Sequence, residues 1–333
     1  MMTKKLLLVL VSFICIVTIT STAQDHEAEV LSGYKGGFLP SLKTYPGTIS
    51  FLVAGDWGRN GEYHQKEVAE QMAKASATLD ADFILSVGDN FYPNGVRSTQ
   101  DPQWISSYED IYTQHFLNRD WLVALGNHDY QGSIQAQIDY SKISRRWIMP
   151  SPYYSKKINI RGGKQILLVV MDTNPFIESY YKKEGDFATN LQQQDTATQR
   201  KWLVETLSDT SSAIAWRIVV GHHPLYSGGK RKEHTDTKSF ANKFATLFDA
   251  YKVDAYLCGH EHDLQIIKQK GAYTTQFLSG AASEVRPSGN TIGTLFAVSQ
   301  PGFMTFSVDA KTLHVQVVKS DGSLLYSTSI PKQ

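Results

Sequence analysis

The sequence predicts an α/β fold in which two packed, mixed β-sheets are flanked by helices. In the first part of the chain, short apolar runs typical of buried strands alternate with segments that have helical spacing. In the last part, the segments are rich in β-formers or alternate between apolar and polar residues. The first pattern is typical of strand–helix–strand units with parallel strands, and the second is typical of antiparallel strands.

The elements follow in chain order. Apolar runs predict strands over 49–54, 83–87, 121–125, 166–171, 218–220 and 255–257. Helical spacing predicts helices over 63–79, 198–207 and 240–251. In the first of these helices, Val68, Met72 and Ala75 share one face. Later β-rich segments cover 274–279, 294–308 and 313–330, and Asp321-Gly322 is typical of a hairpin turn.

Residues 1–23 have the pattern of a secretory signal. Lys4 and Lys5 precede the apolar run 6–19, and the small residues 21–23 suit a cleavage site. The alternative is a membrane anchor, but the run is shorter than the ~20 residues that a span needs. We therefore expect an exported protein, periplasmic or secreted, without stable membrane association after cleavage.

The rest of the chain has ordinary globular composition. Residues 24–47 are expected to form an N-terminal arm, and residues 48–333 a single domain. The formal net charge of +1 argues against a nucleic-acid partner, and a monomer is expected. One of the two cysteines, Cys15, lies in the predicted signal. The other, Cys258, ends a buried-strand pattern, so we expect a core residue and no internal disulfide.

Five segments each end an apolar run with glycine and then a side chain that can bind metal. They are Gly55-Asp56-Trp57-Gly58, Gly88-Asp89-Asn90-Phe91-Tyr92, Gly126-Asn127-His128-Asp129, Gly221-His222-His223-Pro224 and Gly259-His260-Glu261-His262. In open α/β sheets, sites form beyond the carboxyl ends of strands, and glycine lets the chain turn and approach closely. The donors suffice for two metal ions that share a carboxylate, which favours a two-metal phosphoester hydrolase.

The acidic and phenolic residues Asp56, Asp89 and Tyr92 indicate a metal site only as a set. Alone, Asp56 or Asp89 could cap a helix or shape a turn, but a pair at strand ends favours a hard cation. We assign the bridging role to Asp89. Tyr92 alone would be a packing residue, whereas a phenolate in this setting selects a trivalent ion, especially Fe³⁺.

The histidine donors are chosen by geometry. His260 and His262 flank Glu261, and on an extended segment both imidazoles share a face while Glu261 points away. His222 and His223 are adjacent and cannot easily face one site together. We choose His222 because it directly follows a glycine.

Other polar residues in and near these segments are candidates for roles beyond the histidine and acidic donors. Asn127 offers a neutral oxygen, and His128 is assigned as an acid or a substrate contact. Asp129 either orients His128 or shapes the turn. His234, beside Glu233 in a polar loop, either reaches the pocket rim and contacts substrate or stays at the surface.

These motifs resemble those of the calcineurin-like metallophosphoesterases and, within them, the purple acid phosphatases, closest to the small tartrate-resistant form. The stretches 136–147 and 150–154 are also similar, and the resemblance covers about residues 48–310. Tyr92 distinguishes this subgroup from the related protein phosphatases.

The resemblance implies an acid phosphatase that hydrolyses phosphate monoesters, small esters or phosphoproteins, by attack of a metal-bound hydroxide. Fe³⁺ would be held by Asp56, Asp89, Tyr92 and His262. A divalent ion (Fe²⁺, Zn²⁺ or Mn²⁺) would be held by Asp89, Asn127, His222 and His260. His128 would assist the leaving group, and Glu233 and His234 would lie near substrate, although their spacing from His222 differs from that of the family.

Alternatives remain at this point. The same ligands would suit a phosphodiesterase or pyrophosphatase, an iron protein with redox activity, or a phosphate-binding module without catalysis. The chain also departs from the mammalian-type enzymes. The region 173–196 has no cysteine, so their loop disulfide is absent, and His223 stands where close relatives have tyrosine.

Overall fold

The structure, a computed structural model, describes residues 33–333. The predicted signal 1–23 and the first part of the predicted arm lie outside the described residues. The chain divides into two units, Met1–Gly37 and Phe38–Gln333, and the second contains the strands of the described chain. Within residues 33–333, no helix combines the length and apolar character that a membrane crossing needs.

Strands outnumber α-helices in the part of the chain that the structure describes. The strands are β1 (Ile49–Ala54), β2 (Phe83–Ser86), β3 (Asp120–Val123), β4 (Trp147–Ile148), β5 (Tyr154–Ile160), β6 (Lys164–Val170), β7 (Ile214–Val220), β8 (Ala255–Cys258), β9 (Leu264–Ile267), β10 (Thr275–Ser279), β11 (Thr294–Val298), β12 (Gly302–Val308), β13 (Thr312–Lys319) and β14 (Leu324–Pro331). The α-helices are α1 (Gln65–Leu79), α2 (Ile134–Tyr140), α3 (Asp186–Gln192), α4 (Thr196–Leu207) and α5 (Thr235–Ala250). Short 3-10 segments span His115–Leu117, Asp129–Gln131, Arg161–Gly163, Asn174–Phe176 and Glu178–Lys182, and a π-helical segment spans Trp104–Glu109.

The strands form two seven-stranded sheets, and both are mixed. The first has the order β14-β13-β12-β1-β2-β3-β4, in which β1 to β4 are parallel and β12 to β14 are antiparallel. The second has the order β11-β9-β10-β8-β7-β6-β5, with β6, β7, β8 and β10 parallel. The predicted α/β fold with two mixed sheets is confirmed.

Alternation along β1 shows how the layers pack. Phe51 and Val53 belong to the same buried cluster as Ile218 of β7 in the other sheet. Leu52, which points the other way, belongs to the outer cluster with Met72 of α1. Because successive side chains of a strand point to opposite faces, one core lies between the sheets and the other under the helices.

Three strands, β4, β5 and β9, were not recognised in the sequence, and β4 has only two residues. β5 is an edge strand with three consecutive exposed residues, Ser155 to Lys157, so its apolar signal is weak. β9 is only four residues long and contains the polar Gln265. The predicted helix 240–251 begins earlier, at Thr235, because the ring of His234 accepts a hydrogen bond from the backbone N–H of Asp236 as a cap.

Phe51 provides a test of the core between the sheets. Its ring stacks 4.7 Å from that of Phe83 and 5.1 Å from that of Phe306, measured between centroids. We expect Phe51→Ala to lower the free energy of unfolding by about 3–5 kcal/mol, because it leaves a cavity in a packed core. Chemical denaturation measures this change. The control is Ile292→Ala at a side chain that is 79% exposed, and equal losses for both variants would contradict the described packing.

Candidate metal centre

The residues predicted as metal ligands follow the carboxyl ends of five parallel strands. Asp56 follows β1, Asp89 and Tyr92 follow β2, Asn127 follows β3, His222 follows β7, and His260 and His262 follow β8. None of these side chains is more than 9% exposed. The structure therefore gathers residues that are up to 206 positions apart in the sequence, Asp56 and His262, into contact with one another.

The hydroxyl of Tyr92 lies at the centre of one group of donors. It is 3.0 Å from Asp56 Oδ1, 2.8 Å from Asp89 Oδ2 and 3.2 Å from His262 Nε2. A phenol has a single proton and can donate it to only one of these atoms. A cation would interact favourably with all four atoms, so this donor set fits a metal ion.

A second group of donors shares Asp89 with the first. Asp89 Oδ2 is 3.4 Å from His222 Nε2, and His222 Nε2 is 3.2 Å from His260 Nδ1. Asn127 Oδ1 is buried and has no hydrogen-bond partner within the described chain. A buried polar atom without a partner is costly, and a metal ion would satisfy it.

Neighbouring backbone groups orient these side chains. His222 Nδ1 donates to the carbonyl of Val87 at 2.9 Å, which leaves Nε2 toward the donor group. The backbone N–H of His260 donates to Asp56 Oδ2 at 3.0 Å, and that of His128 donates to Asp89 Oδ1 at 2.7 Å.

The backbone of the ligand residues themselves is unusual. Asp56, Asp89 and His260 have φ of 60°, 52° and 73°, in the left-handed region that residues with a side chain rarely adopt. Such strain persists where the surrounding structure determines it, as at functional sites. Residue 126 is glycine because of a close approach and not because of its backbone angle: a Cβ there would lie 2.2 Å from Asp89 Oδ1.

Without metal, the buried charges perturb the titration of the donors. Burial, reinforced by the carboxylates of Asp56 and Asp89, raises the pKa of Tyr92 well above its ordinary value. Burial opposes protonation of His222, but the carboxylate of Asp89 outweighs it and raises the pKa of His222 to about 9. At neutral pH both groups hold protons that a bound metal ion would displace.

His128 lies half buried at the edge of the donor group. Its ring is 4.3 Å from the ring of Tyr92, and its Nδ1 is 2.5 Å from the carbonyl of Pro93. Asp129 shapes the turn: its carboxylate accepts hydrogen bonds from the backbone N–H of Gly126 and from the side chain of Gln137.

A cavity of about 260 Å³ opens beside Asn127 and His260. His234 lines this cavity, as do His223, Tyr180, Lys183 and Arg231. His223 bonds away from the donors, with Thr173 Oγ1 at 2.7 Å and Tyr180 Oη at 2.8 Å.

Glu233 does not join His234 in this cavity. Its side chain is 74% exposed and pairs with Lys238 at 2.6 Å, and it lines a different cavity. The structure therefore brings one member of the predicted pair to the site. The catalytic role of Glu233 stays a prediction.

Sequence reasoning missed several neighbours of the donors. The guanidinium of Arg59 lies 3.8 Å from the ring centroid of Tyr92 and pairs with Glu284 at 2.5 Å. Glu284 in turn lies 3.4 Å from His262 Nδ1. No local pattern marks such a pair, because its members meet only through the fold. Arg231 had a signal, since it lies in the polar loop that contains His234.

The sequence of the chain is similar to those of known proteins. A family model described as calcineurin-like phosphoesterase matches residues 49–264. Purple acid phosphatase 7 of Arabidopsis thaliana is 33% identical over 308 residues, which cover 88% of this chain and 89% of that protein. Tartrate-resistant acid phosphatase type 5 of Oryctolagus cuniculus is 32% identical over 323 residues, covering 89% and 94%.

Solved structures show the same fold. GAP50, described as the anchor in the inner membrane complex of Plasmodium, has a TM-score of 0.73 at 22% identity and covers 86% of this chain and 89% of that one. Purple acid phosphatase PPD1 from yellow lupin (Lupinus luteus) has a TM-score of 0.62 at 17% identity, covering 86% and 55%. At these identities, the likeness concerns the fold alone.

Gly126 tests the close approach at the donor group. We expect Gly126→Ala to lose most of its bound metal, because the added Cβ would displace the carboxylate of Asp89. Elemental analysis after metal loading and dialysis measures the loss, and circular dichroism checks the fold. Gly33→Ala is the control, since a Cβ there meets no atom within 4 Å. Full metal content in Gly126→Ala would contradict the described geometry.

Proposed function

Since the chain belongs to the purple acid phosphatases within the calcineurin-like phosphoesterase family, we propose that it is exported and hydrolyses phosphate monoesters at a centre of two metal ions. Family membership makes it a metal-dependent phosphomonoesterase of the acid phosphatase type. The proposal adds the ligands, the metals, the roles of individual residues and the export, which rests on the predicted signal 1–23. The observation that carries it is the hydroxyl of Tyr92 among Asp56, Asp89 and His262.

The proposed ligands form two sets that share Asp89. Asp56, Asp89, Tyr92 and His262 would hold Fe³⁺, and Asp89, Asn127, His222 and His260 would hold Fe²⁺, Zn²⁺ or Mn²⁺. The phenolate and carboxylates of the first set suit a hard trivalent ion, and the imidazoles and neutral amide of the second suit a divalent one. The position of Asp89 Oδ2 between Tyr92 Oη and His222 Nε2 supports its bridging role.

When bound, the two ions would supply Lewis acidity toward the phosphate oxygens and an activated water as nucleophile. Substrate would enter through the cavity, since Asn127 and His260 line it. Small phosphate esters fit its volume of about 260 Å³.

His128 would act on the leaving group. In the imidazolium form, Nδ1–H donates to the carbonyl of Pro93 and Nε2–H remains to protonate the departing oxygen. His223 is less suited to this task, because burial and the charge of His222 hold its pKa well below the ordinary value.

Tyr92 tests the identity of the metal. We expect the purified protein to contain two metal ions, one of them iron, and to show a visible charge-transfer band from phenolate to Fe³⁺. Tyr92→Phe should lose the band while keeping its fold, because the phenolate donor is gone. Tyr181→Phe, at a side chain that is 56% exposed, should keep it. A colourless wild-type protein with two Zn²⁺ or Mn²⁺ ions would remove iron from the proposal.

His128 tests the reaction. We expect His128→Ala to lower kcat/KM about 100-fold for an alkyl phosphate monoester, and much less for 4-nitrophenyl phosphate, whose leaving group departs without a proton. Steady-state kinetics measure both losses, with His115→Ala at an exposed position as the control. Equal losses on the two esters would argue against proton donation. Faster turnover of an aryl diester than of the aryl monoester by the wild type would replace the proposed reaction with diester hydrolysis.

A further inference from the structure

The cavity beside the candidate metal centre has two cationic side chains that the proposed reaction does not use. It is lined by Asn127 and His260 and by two segments, 177–183 and 231–237, which bear Lys183 and Arg231 and are called the rim segments below. Asp236 is the single acidic side chain among the described residues that line it. A cavity with this charge favours anionic ligands.

Arg231 is held in place by Glu261 and by the backbone of His260. Its backbone N–H donates to Glu261 Oε1 at 2.8 Å, and its Nη1 donates to the carbonyl of His260 at 3.1 Å. Glu261 Oε2 lies 3.4 Å from the same Nη1, and Glu261 is only 1% exposed. The buried carboxylate thus anchors the guanidinium at the rim.

Arg231 retains hydrogen-bonding capacity toward the cavity. A guanidinium has five N–H donors, and only Nη1 bonds to another group of the described chain. The side chain is 26% exposed and lines the cavity. Its free donors can therefore bind a planar anion such as a carboxylate, or a phosphate.

Lys183 lies on the other rim segment, and its charge is not neutralised by a close carboxylate. Its ammonium is 5.0 Å from the ring centroid of Tyr180 and 4.5 Å from that of Phe187. Across residues 33–333, no carboxylate lies within ion-pair distance of it. Tyr180 is itself fixed by its hydrogen bond to His223.

The two rim segments are tied together. Ser179 donates to Asp236 Oδ2 at 2.5 Å, and Asp236 also lies 3.5 Å from His234 Nδ1. Asp236, the acidic side chain of the cavity, is thus already paired with Ser179 and His234. It links the segment that bears Lys183 to the loop that bears Arg231.

We propose that this cavity is a binding subsite for a second anionic group of the substrate, a carboxylate or another phosphate, contacted by Arg231 and Lys183. The preferred substrates are then phosphate monoesters whose leaving group is itself anionic. As a statement about substrates the inference rests on the proposed function, whereas the subsite can be tested by binding alone.

The binding test compares two ligands that are not hydrolysed. 3-Phosphonopropionate carries a carboxylate that propylphosphonate lacks, and calorimetry with metal-loaded protein gives both affinities. We expect the wild type to prefer 3-phosphonopropionate roughly tenfold or more, as for charge-assisted hydrogen bonds. Arg231→Gln and Lys183→Met should each remove most of this preference and leave propylphosphonate affinity within about threefold.

Lys230→Met is the matched control, because Lys230 is exposed, adjoins Arg231 and does not line the cavity. Arg231→Gln removes the ion pair of the buried Glu261 carboxylate and could disturb the fold, so Lys183→Met, which breaks no ion pair, is an independent second variant. Equal wild-type affinities for the two ligands would overturn the proposal. So would variants that weaken both ligands by the same factor, since the cations would then act on the shared phosphonate.

Turnover separates this proposal from the proposed function. We expect kcat/KM to be at least about tenfold higher for 2-phosphoglycerate than for glycerol 2-phosphate, with the difference lost in Arg231→Gln. If neither ester is hydrolysed but the binding preference stands, the proposed function fails and the subsite remains. If both are hydrolysed equally and binding shows no preference, the subsite fails and the phosphatase remains.

Discussion

The burial of two carboxylates, Asp56 and Asp89, is the constraint on which the rest of the site depends. A charge inside a protein is costly unless partners compensate it. Burial alone would raise the pKa of Asp89, but His222 and His128 outweigh it and hold the pKa well below its ordinary value. Backbone N–H groups compensate the oxygens that face the sheet edge. The remaining negative charge converges on the hydroxyl of Tyr92, and this unbalanced charge makes the site a cation site.

This arrangement requires a rigid frame. The donors follow strands buried on both faces, so the strand ends are fixed by the core between the sheets and by the helices outside. The left-handed backbone at Asp56, Asp89 and His260 is strain that such packing can sustain. Preorganised donors of this kind lose little conformational freedom when a metal ion binds.

The residues proposed for the reaction and those proposed to select the substrate lie on different parts of the fold. The candidate metal ligands follow strand ends, whereas the cavity rim is built from two loop segments that carry Lys183 and Arg231. The segment that bears Arg231 is tied to the candidate metal site through Glu261, which lies between His260 and His262. Arg231 is therefore positioned by the same segment after β8 that supplies two candidate ligands, while its loop neighbours can vary without disturbing the donors.

The sequence by itself determined the fold class and which candidate donors come together at the strand ends, since both follow from local signals. Gly88-Asp89 after a buried apolar run marks a strand end wherever the strand lies, and parallel strand ends meet at one edge. Tertiary structure alone decided what surrounds the donors. It paired Arg59 with Glu284 over Tyr92, brought Arg231 rather than Glu233 to the cavity, and added the edge strand β5. These outcomes depend on contacts between distant segments, and on loop paths, that no local pattern encodes.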